Sequence, residues 1–207
     1  MRKLVLSLFA LAVTAAPTFA GEYNKKVDIG QKAPDFSGIQ AAEPNGETTS
    51  LSLGDIKEDV VVVVFLANHC PVVLNCEDRI NDFVSDYKGK SVKLVGIATS
   101  GQNTSKTDDL AAIKKRAVKD KKFNYVYGYD ETQDVGRSYG ATNTPQFFVL
   151  DKDRNIAYMG AMDDSPNNEG KVTKTYLRDA VDALLAGKPV ELKETRAVGC
   201  GIQYNKK

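Results

Sequence analysis

The chain has 207 residues, with 28 Lys and Arg against 27 Asp and Glu, a single His, three Cys and no Trp. A near-neutral balance leaves no electrostatic footprint for nucleic acid. The cysteines are too few for a disulfide-stapled scaffold, and the length suits one domain with an ample core.

The first segment is expected to be removed. Met1-Arg2-Lys3, an apolar run from Leu4 to Ala16 and the close Thr18-Phe19-Ala20 predict a secretory signal peptide over 1–20, with the mature chain starting at Gly21. The apolar run is short for a bilayer span, and nothing later is longer. An exported protein, periplasmic or secreted, without stable membrane insertion is therefore expected; an uncleaved anchor is the alternative. Loss of Arg2 and Lys3 turns the net charge from +1 to −1. Export means an oxidising compartment, where an odd cysteine count leaves a thiol free or joined to another molecule.

The mature chain reads as a domain over 21–190 followed by a tail over 191–207. A turn-rich segment runs to about Leu53, and Asn45-Gly46 within it signals a hairpin. The valine-rich run after Asp59 predicts a strand over 59–67, buried on both faces. Beyond Pro71 the period turns helical, with Val73, Cys76, Ile80, Phe83, Val84 and Tyr87 on one stripe, which predicts a helix over 71–87. A strand over 92–98, a polar loop over 99–107 and a helix over 108–121 follow. In that helix Lys114, Lys115, Arg116 and Lys119 read as a solvated face. Next come a strand over 125–127 and a short helix over 131–139 stopped by Gly140. Pro145 opens a strand over 146–150, and a turn at 151–155 leads to another over 156–159. A loop at 162–170 precedes an amphipathic helix over 173–186 that ends at Gly187. Asp163-Asp164-Ser165 in that loop lacks the spacing of a helix–loop–helix calcium site. A βαβαβ half, a hairpin and a last helix make one α/β sheet domain.

Cys70 stands where the central strand ends and the helix begins. Unpaired N–H groups and the positive end of the dipole favour thiolate there, and chemistry in open α/β sheets gathers at that end of the strands. Its neighbour His69 has three readings: it lowers the thiol pKa, it gives a proton to a leaving thiolate, or it covers the helix start. A metal site of His69, Cys70 and Cys76 lacks a fourth ligand, so neither metal nor cofactor is expected. Cys76 shares the apolar stripe and reads as a buried thiol. Six residues of intact helix rise about 9 Å, whereas bridged Cα atoms lie within roughly 7 Å; a Cys70–Cys76 bond needs the first turn to unwind. Cys200 lies between Gly199 and Gly201, and Ile202 and Tyr204 favour docking of the tail. A tail held by few backbone bonds needs only local undocking to bring Cys200 to Cys70.

Several motifs together resemble one family. The opening Gly30-Gln31-Lys32-Ala33-Pro34-Asp35-Phe36, the site Asn68-His69-Cys70-Pro71 with Glu77-Asp78-Arg79, Asp130-Glu131-Thr132-Gln133, Thr144-Pro145-Gln146-Phe147-Phe148, Met162-Asp163-Asp164-Ser165 and Gly199-Cys200-Gly201-Ile202 are similar to a peroxiredoxin-like group of redoxins (AhpC/TSA-related) within the thioredoxin superfamily. The resemblance implies a thioredoxin-like fold, a central mixed sheet flanked by helices, here with an N-terminal hairpin extension. It implies a redox-active Cys70 and a cis Thr144-Pro145 bond facing it. Thr144, Pro145 and Asn68 would then contact substrate. The buried stripe of Cys76 and the glycine-flanked tail of Cys200 make Cys200, and less favourably Cys76, the expected resolving thiol for Cys70. The chain departs from thioredoxins in holding Val73 where they carry a second cysteine. It departs from peroxiredoxins in holding Ala67 and Val63 where they carry a hydroxyl and a proline. Three functions follow: a thiol–disulfide oxidoreductase acting on protein or small-molecule thiols and disulfides, a thiol peroxidase acting on peroxide, and a thiol- or metal-binding module.

Overall fold

The computed structural model describes residues 21–99, 107–120 and 123–206, so the expected signal peptide and most of the polar loop lie outside the described residues. In chain order the elements are β1 (Ile39–Ala42), β2 (Thr48–Leu51), β3 (Val60–Leu66), α1 (Pro71–Asp86), β4 (Val92–Ala98), α2 (Leu110–Lys115), β5 (Val126–Tyr129), α3 (Asp134–Tyr139), β6 (Asn143–Thr144), β7 (Gln146–Leu150), β8 (Ile156–Gly160), α4 (Tyr176–Leu185) and β9 (Cys200–Gly201).

Strand β3 is buried along its whole length. Its alternate residues serve two cores, as the two-residue period of a strand requires. Val60, Val62, Val64 and Leu66 pack with Val73, Ile80 and Phe83 of α1 and with Leu177 and Val181 of α4. Val61, Val63 and Phe65 pack with Phe36, Tyr139 and Phe148 on the other face. The sheet order is β2-β1-β5-β4-β3-β7-β8. Strands β3, β4 and β5 run parallel, and β7 returns antiparallel beside β3. This is the mixed, helix-flanked sheet of the thioredoxin-like fold. The N-terminal hairpin is part of it, since Ala41 and Ala42 of β1 pair with Gly128 and Tyr127 of β5.

Two expectations change. The helix over 108–121 begins instead at Leu110, capped by the Asp109 carboxylate, which accepts from Ala112 N at 2.7 Å. Past Lys115 it widens into a π-helical stretch, Arg116–Asp120. Such a widening rotates side chains out of the regular pattern, and Arg116 is not on a solvated face. Its guanidinium points inward, 2.6 Å from both Asn68 Oδ1 and Glu77 Oε1.

The tail also differs from a loosely held segment. Met159 N–H donates to Lys193 O and Thr195 N–H to Met159 O, each at 3.0 Å. The Glu194 carboxylate accepts the N–H groups of Glu22, Tyr23 and Asn24 at 2.7, 2.9 and 2.9 Å. Further on, β9 pairs antiparallel with β6, and Ile202 N–H reaches Thr142 O at 2.9 Å. The Gln133 amide bonds Gln203 O at 2.9 Å and Asn205 N at 2.7 Å. Tyr204 donates to Ala141 O at 2.7 Å, with the Arg137 guanidinium 4.6 Å from its ring. Backbone groups around β6 and α3 need partners wherever they are covered, and the tail supplies them.

Candidate active site

Cys70 occupies the N-cap of α1, with extended backbone angles and Pro71 in the first turn. Its own C=O accepts from Leu74 N at 3.0 Å, so the first turn is closed and the side chain is aimed by the helix start. The residue is 0% exposed. Its Sγ donates to Thr144 O at 3.1 Å, and the Thr144-Pro145 peptide is cis, as the resemblance implied. Thr144 pairs with Cys200 in the β6–β9 ladder, which brings Cys200 beside the residue whose carbonyl accepts the Cys70 thiol, near enough for the two cysteines to shift each other's acidity.

The electrostatics separate the three thiols. Burial works against the Cys70 thiolate. Hydrogen bonds from Cys200, from Thr144 and from the backbone at Val73 and Cys200 outweigh it and hold Cys70 below an ordinary cysteine. The Val73 contribution belongs to the helix start; the strongest contribution comes from the tail, which sequence reasoning had not connected with acidity. Burial, and the acidic neighbour itself, push Cys200 up to about 11. Cys76 is driven to about 12 by burial, and its Sγ donates to Val73 O of its own helix at 3.4 Å. The structure thus gathers Cys70, Thr144, Pro145 and Cys200, and leaves Cys76 turned into the core.

Gly199 explains how close this crossing is. A Cβ there would lie 1.9 Å from Thr144 O and 3.2 Å from Pro145 Cδ. Only glycine lets the tail backbone pass over the proline loop.

His69 is exposed, and its Nδ1 lies 2.5 Å from Asp108 Oδ2. An ionised carboxylate only accepts, so Nδ1 carries the hydrogen and Nε2 is left for other chemistry. Asp108 is 1% exposed, and its second oxygen accepts Asn68 N–H at 2.5 Å. Asn68 is buried too, its amide bonding Thr107 O at 2.5 Å and the Arg116 guanidinium. Asp108 is the site residue that sequence reasoning missed. It lies 39 positions from His69, and its only local signal, Asp-Asp before a helix, reads as capping.

Arg79 and Asp163, quoted above in two separate motifs, form a buried ion pair, and Arg79 also donates to Pro166 O at 2.7 Å. The pair ties α1 to the loop after β8 and so fixes the helix that aims Cys70. Among the described residues no group of three or more His, Cys, Asp or Glu is placed to hold a metal ion.

An acidic cysteine closing the central strand, opposed by a cis-proline turn on this sheet, is the working arrangement of the thioredoxin-fold oxidoreductases, and the protein is of that class. Residues 28–177 match the Redoxin family, to which the chain belongs. It is similar to the thiol-disulfide oxidoreductase ResA of Bacillus thuringiensis subsp. konkukian, 21% identical over 156 residues that cover 74% of this chain and 83% of the relative. Two solved structures share its fold closely. An uncharacterized conserved protein from Geobacillus kaustophilus is 34% identical with a TM-score of 0.78, over 86% of this chain and 93% of the other. A hypothetical protein from Sinorhizobium meliloti is 30% identical with a TM-score of 0.77, over 89% and 98%.

Proposed function

We propose that the protein is an exported thiol–disulfide oxidoreductase in which Cys70 is the nucleophile and Cys200 the resolving thiol. The observation that carries this reading is the β6–β9 pairing, which sets Cys200 opposite Thr144 and its thiol against Cys70. The similarity to a thiol-disulfide oxidoreductase supports the same chemistry, and the signal-like sequence over 1–20 supports export.

In the reaction, the tail lifts and the Cys70 thiolate attacks one sulfur of a substrate disulfide R–S–S–R′. A mixed disulfide forms with R, and R′–S⁻ leaves and takes a proton. His69, oriented through Nδ1 by Asp108, is the proton donor nearest in sequence in its imidazolium form, when Nε2 also carries a hydrogen. The tail then returns, Cys200 gives up its proton, and its sulfur attacks Cys70. R–S⁻ is expelled and a Cys70–Cys200 disulfide remains. Two electrons have passed from the chain to the substrate.

The peroxidase reading loses support at Ala67 and Val63, which are apolar and buried and offer no hydroxyl to orient a peroxide. The test is mass mapping of disulfides after treatment with oxidised glutathione. A Cys70–Cys200 bond is expected, absent from Cys200→Ser. An intramolecular bond that persists in Cys200→Ser and disappears in Cys76→Ser overturns the assignment.

A further inference from the structure

The proposed cycle leaves the chain oxidised, and the two sulfurs of its disulfide do not present themselves equally to a reductant. We infer that a reducing thiol attacks Cys200 rather than Cys70, so that the mixed disulfide with the reductant is carried on the tail and Cys70 departs as thiolate. This rests on the Cys70–Cys200 pairing of the proposed function and assigns Cys200 a second role, that of the partner-facing sulfur.

Access argues first. Cys70 is wholly buried, while Cys200 is partly exposed, with exposed Val198 and Gly201 beside it. In the reduced chain the tail is held near the site by noncovalent contacts alone and can lift to admit a substrate to Cys70. Once a covalent bond joins Cys200 to Cys70 that route is shut. The two half-reactions therefore use different doors.

Direction argues second. Thiol–disulfide exchange sets three sulfurs roughly in line, with the attacker opposite the leaving sulfur. For attack at Cys200 the reductant approaches a partly exposed sulfur. For attack at Cys70 it must approach a sulfur that is wholly buried within the core cluster holding Ala67, Val73 and Cys76. No thiol reaches that sulfur without the core opening.

The leaving group argues third. Hydrogen bonds from Thr144 and from the backbone at Val73 and Cys200 favour the Cys70 thiolate, whereas Cys200 sits near 11. The more acidic thiol leaves faster. The step balances: R–S⁻ and the Cys200–Cys70 disulfide give R–S–S–Cys200 and Cys70–S⁻. The S–S bond to Cys70 breaks as the S–S bond to R forms. A second reductant thiol, or the other thiol of a dithiol partner, attacks R–S–S–Cys200 at the R sulfur. It releases Cys200 with its electron pair, and Cys200 takes a proton.

The experiment uses the full mature chain carrying Cys76→Ser, which removes the third thiol, with the unsubstituted chain run in parallel to check the substitution. The oxidised protein is mapped, then mixed with glutathione in the presence of excess iodoacetamide, quenched in acid and mapped again. Glutathione on Cys200 with the alkyl group on Cys70 is expected, exceeding the reverse product by about tenfold or more. The reverse product in excess, or equal amounts of the two, overturns the inference and leaves the proposed function standing. An oxidised protein with no Cys70–Cys200 bond overturns the proposed function itself, and the inference with it.

Discussion

Helix α1 and the C-terminal tail each hold a second thiol, and the nearer one in sequence is the worse placed. Cys76 lies on the same helix as Cys70, turned into the core and pushed to about 12 by burial. Cys200 comes from the far end of the chain on a two-residue strand, yet its pairing with Thr144 brings it close enough to act on the acidity of Cys70. Helix geometry fixes residues along one rod and forbids the first pair to meet while the turn is intact. Strand pairing joins segments from anywhere in the chain, so the register of β9 on β6 decides which thiol lies beside Thr144 and Cys70.

The largest effect that could break this comparison is on activity. Cys70→Ser should abolish disulfide exchange, a loss of several orders of magnitude, while Cys76→Ser stays within about twofold. Insulin-reduction or small-disulfide assays read both. A Cys76→Ser loss as large as that of Cys200→Ser would make the helix thiol a partner after all.

Gly199→Ala sharpens the comparison by loosening one region only. The new Cβ meets backbone atoms, 1.9 Å from Thr144 O, which cannot swing aside as a flexible side chain would. Formation of the Cys70–Cys200 bond should slow by about tenfold or more, and Cys70 alkylation should quicken, with global unfolding by urea little changed because the tail opens locally. Unchanged alkylation kinetics would mean that the crossing does not guard Cys70.

The pH response should differ in sign between the thiols. Cys76 holds its proton to about 12 when folded, against an ordinary 9.0, so the unfolded chain ionises first. That stability is complete below the ordinary value and is lost as pH climbs from there toward the folded value, at up to about 1.4 kcal/mol per pH unit. Cys70, whose pKa is lowered, contributes in the opposite sense: its stability is present above the ordinary value and lost as pH falls through the folded one. Urea unfolding of the reduced protein between about pH 8.5 and 10.5 should therefore show a shallower decline in Cys76→Val than in the parent. Parallel slopes would contradict the burial assigned to Cys76.

The smallest effect belongs to the anchor. Tyr204→Phe removes the bond to Ala141 O, which contributes about 1 kcal/mol, and should raise the Cys70 alkylation rate by about fivefold. No change would mean that β9 and the bonds of Ile202 and Gln133 hold the tail without Tyr204.

Much of this was legible because it is periodic or local. The valine run announced β3, the stripe from Val73 to Phe83 announced α1, and Cys70-Pro71 marked their junction. The strands β6 and β9 left no such trace, because two residues cannot display a period. Ile202 and Tyr204 did foretell docking, though not the number of bonds that hold it. Arg116 was misread because the π-helical stretch turns it inward, a change that charge patterning cannot register. Asp108 stayed hidden because its tie to His69 is a long-range contact with no spacing rule.

The carboxylate of Glu194 joins both ends of the folded chain, gripping the N–H groups of residues 22–24 just ahead of the segment that bears Cys200. Force applied at the N-terminal end therefore has a short path to the redox centre. A rigid tether, bulky tag or surface attachment just ahead of residue 22 pulls on Glu194. Because Lys193 and Thr195 on either side of it bond Met159 of β8, that load is shared between the sheet and the few residues that lead to Gly199, whereas the same load applied at the β1–β2 hairpin reaches the sheet alone.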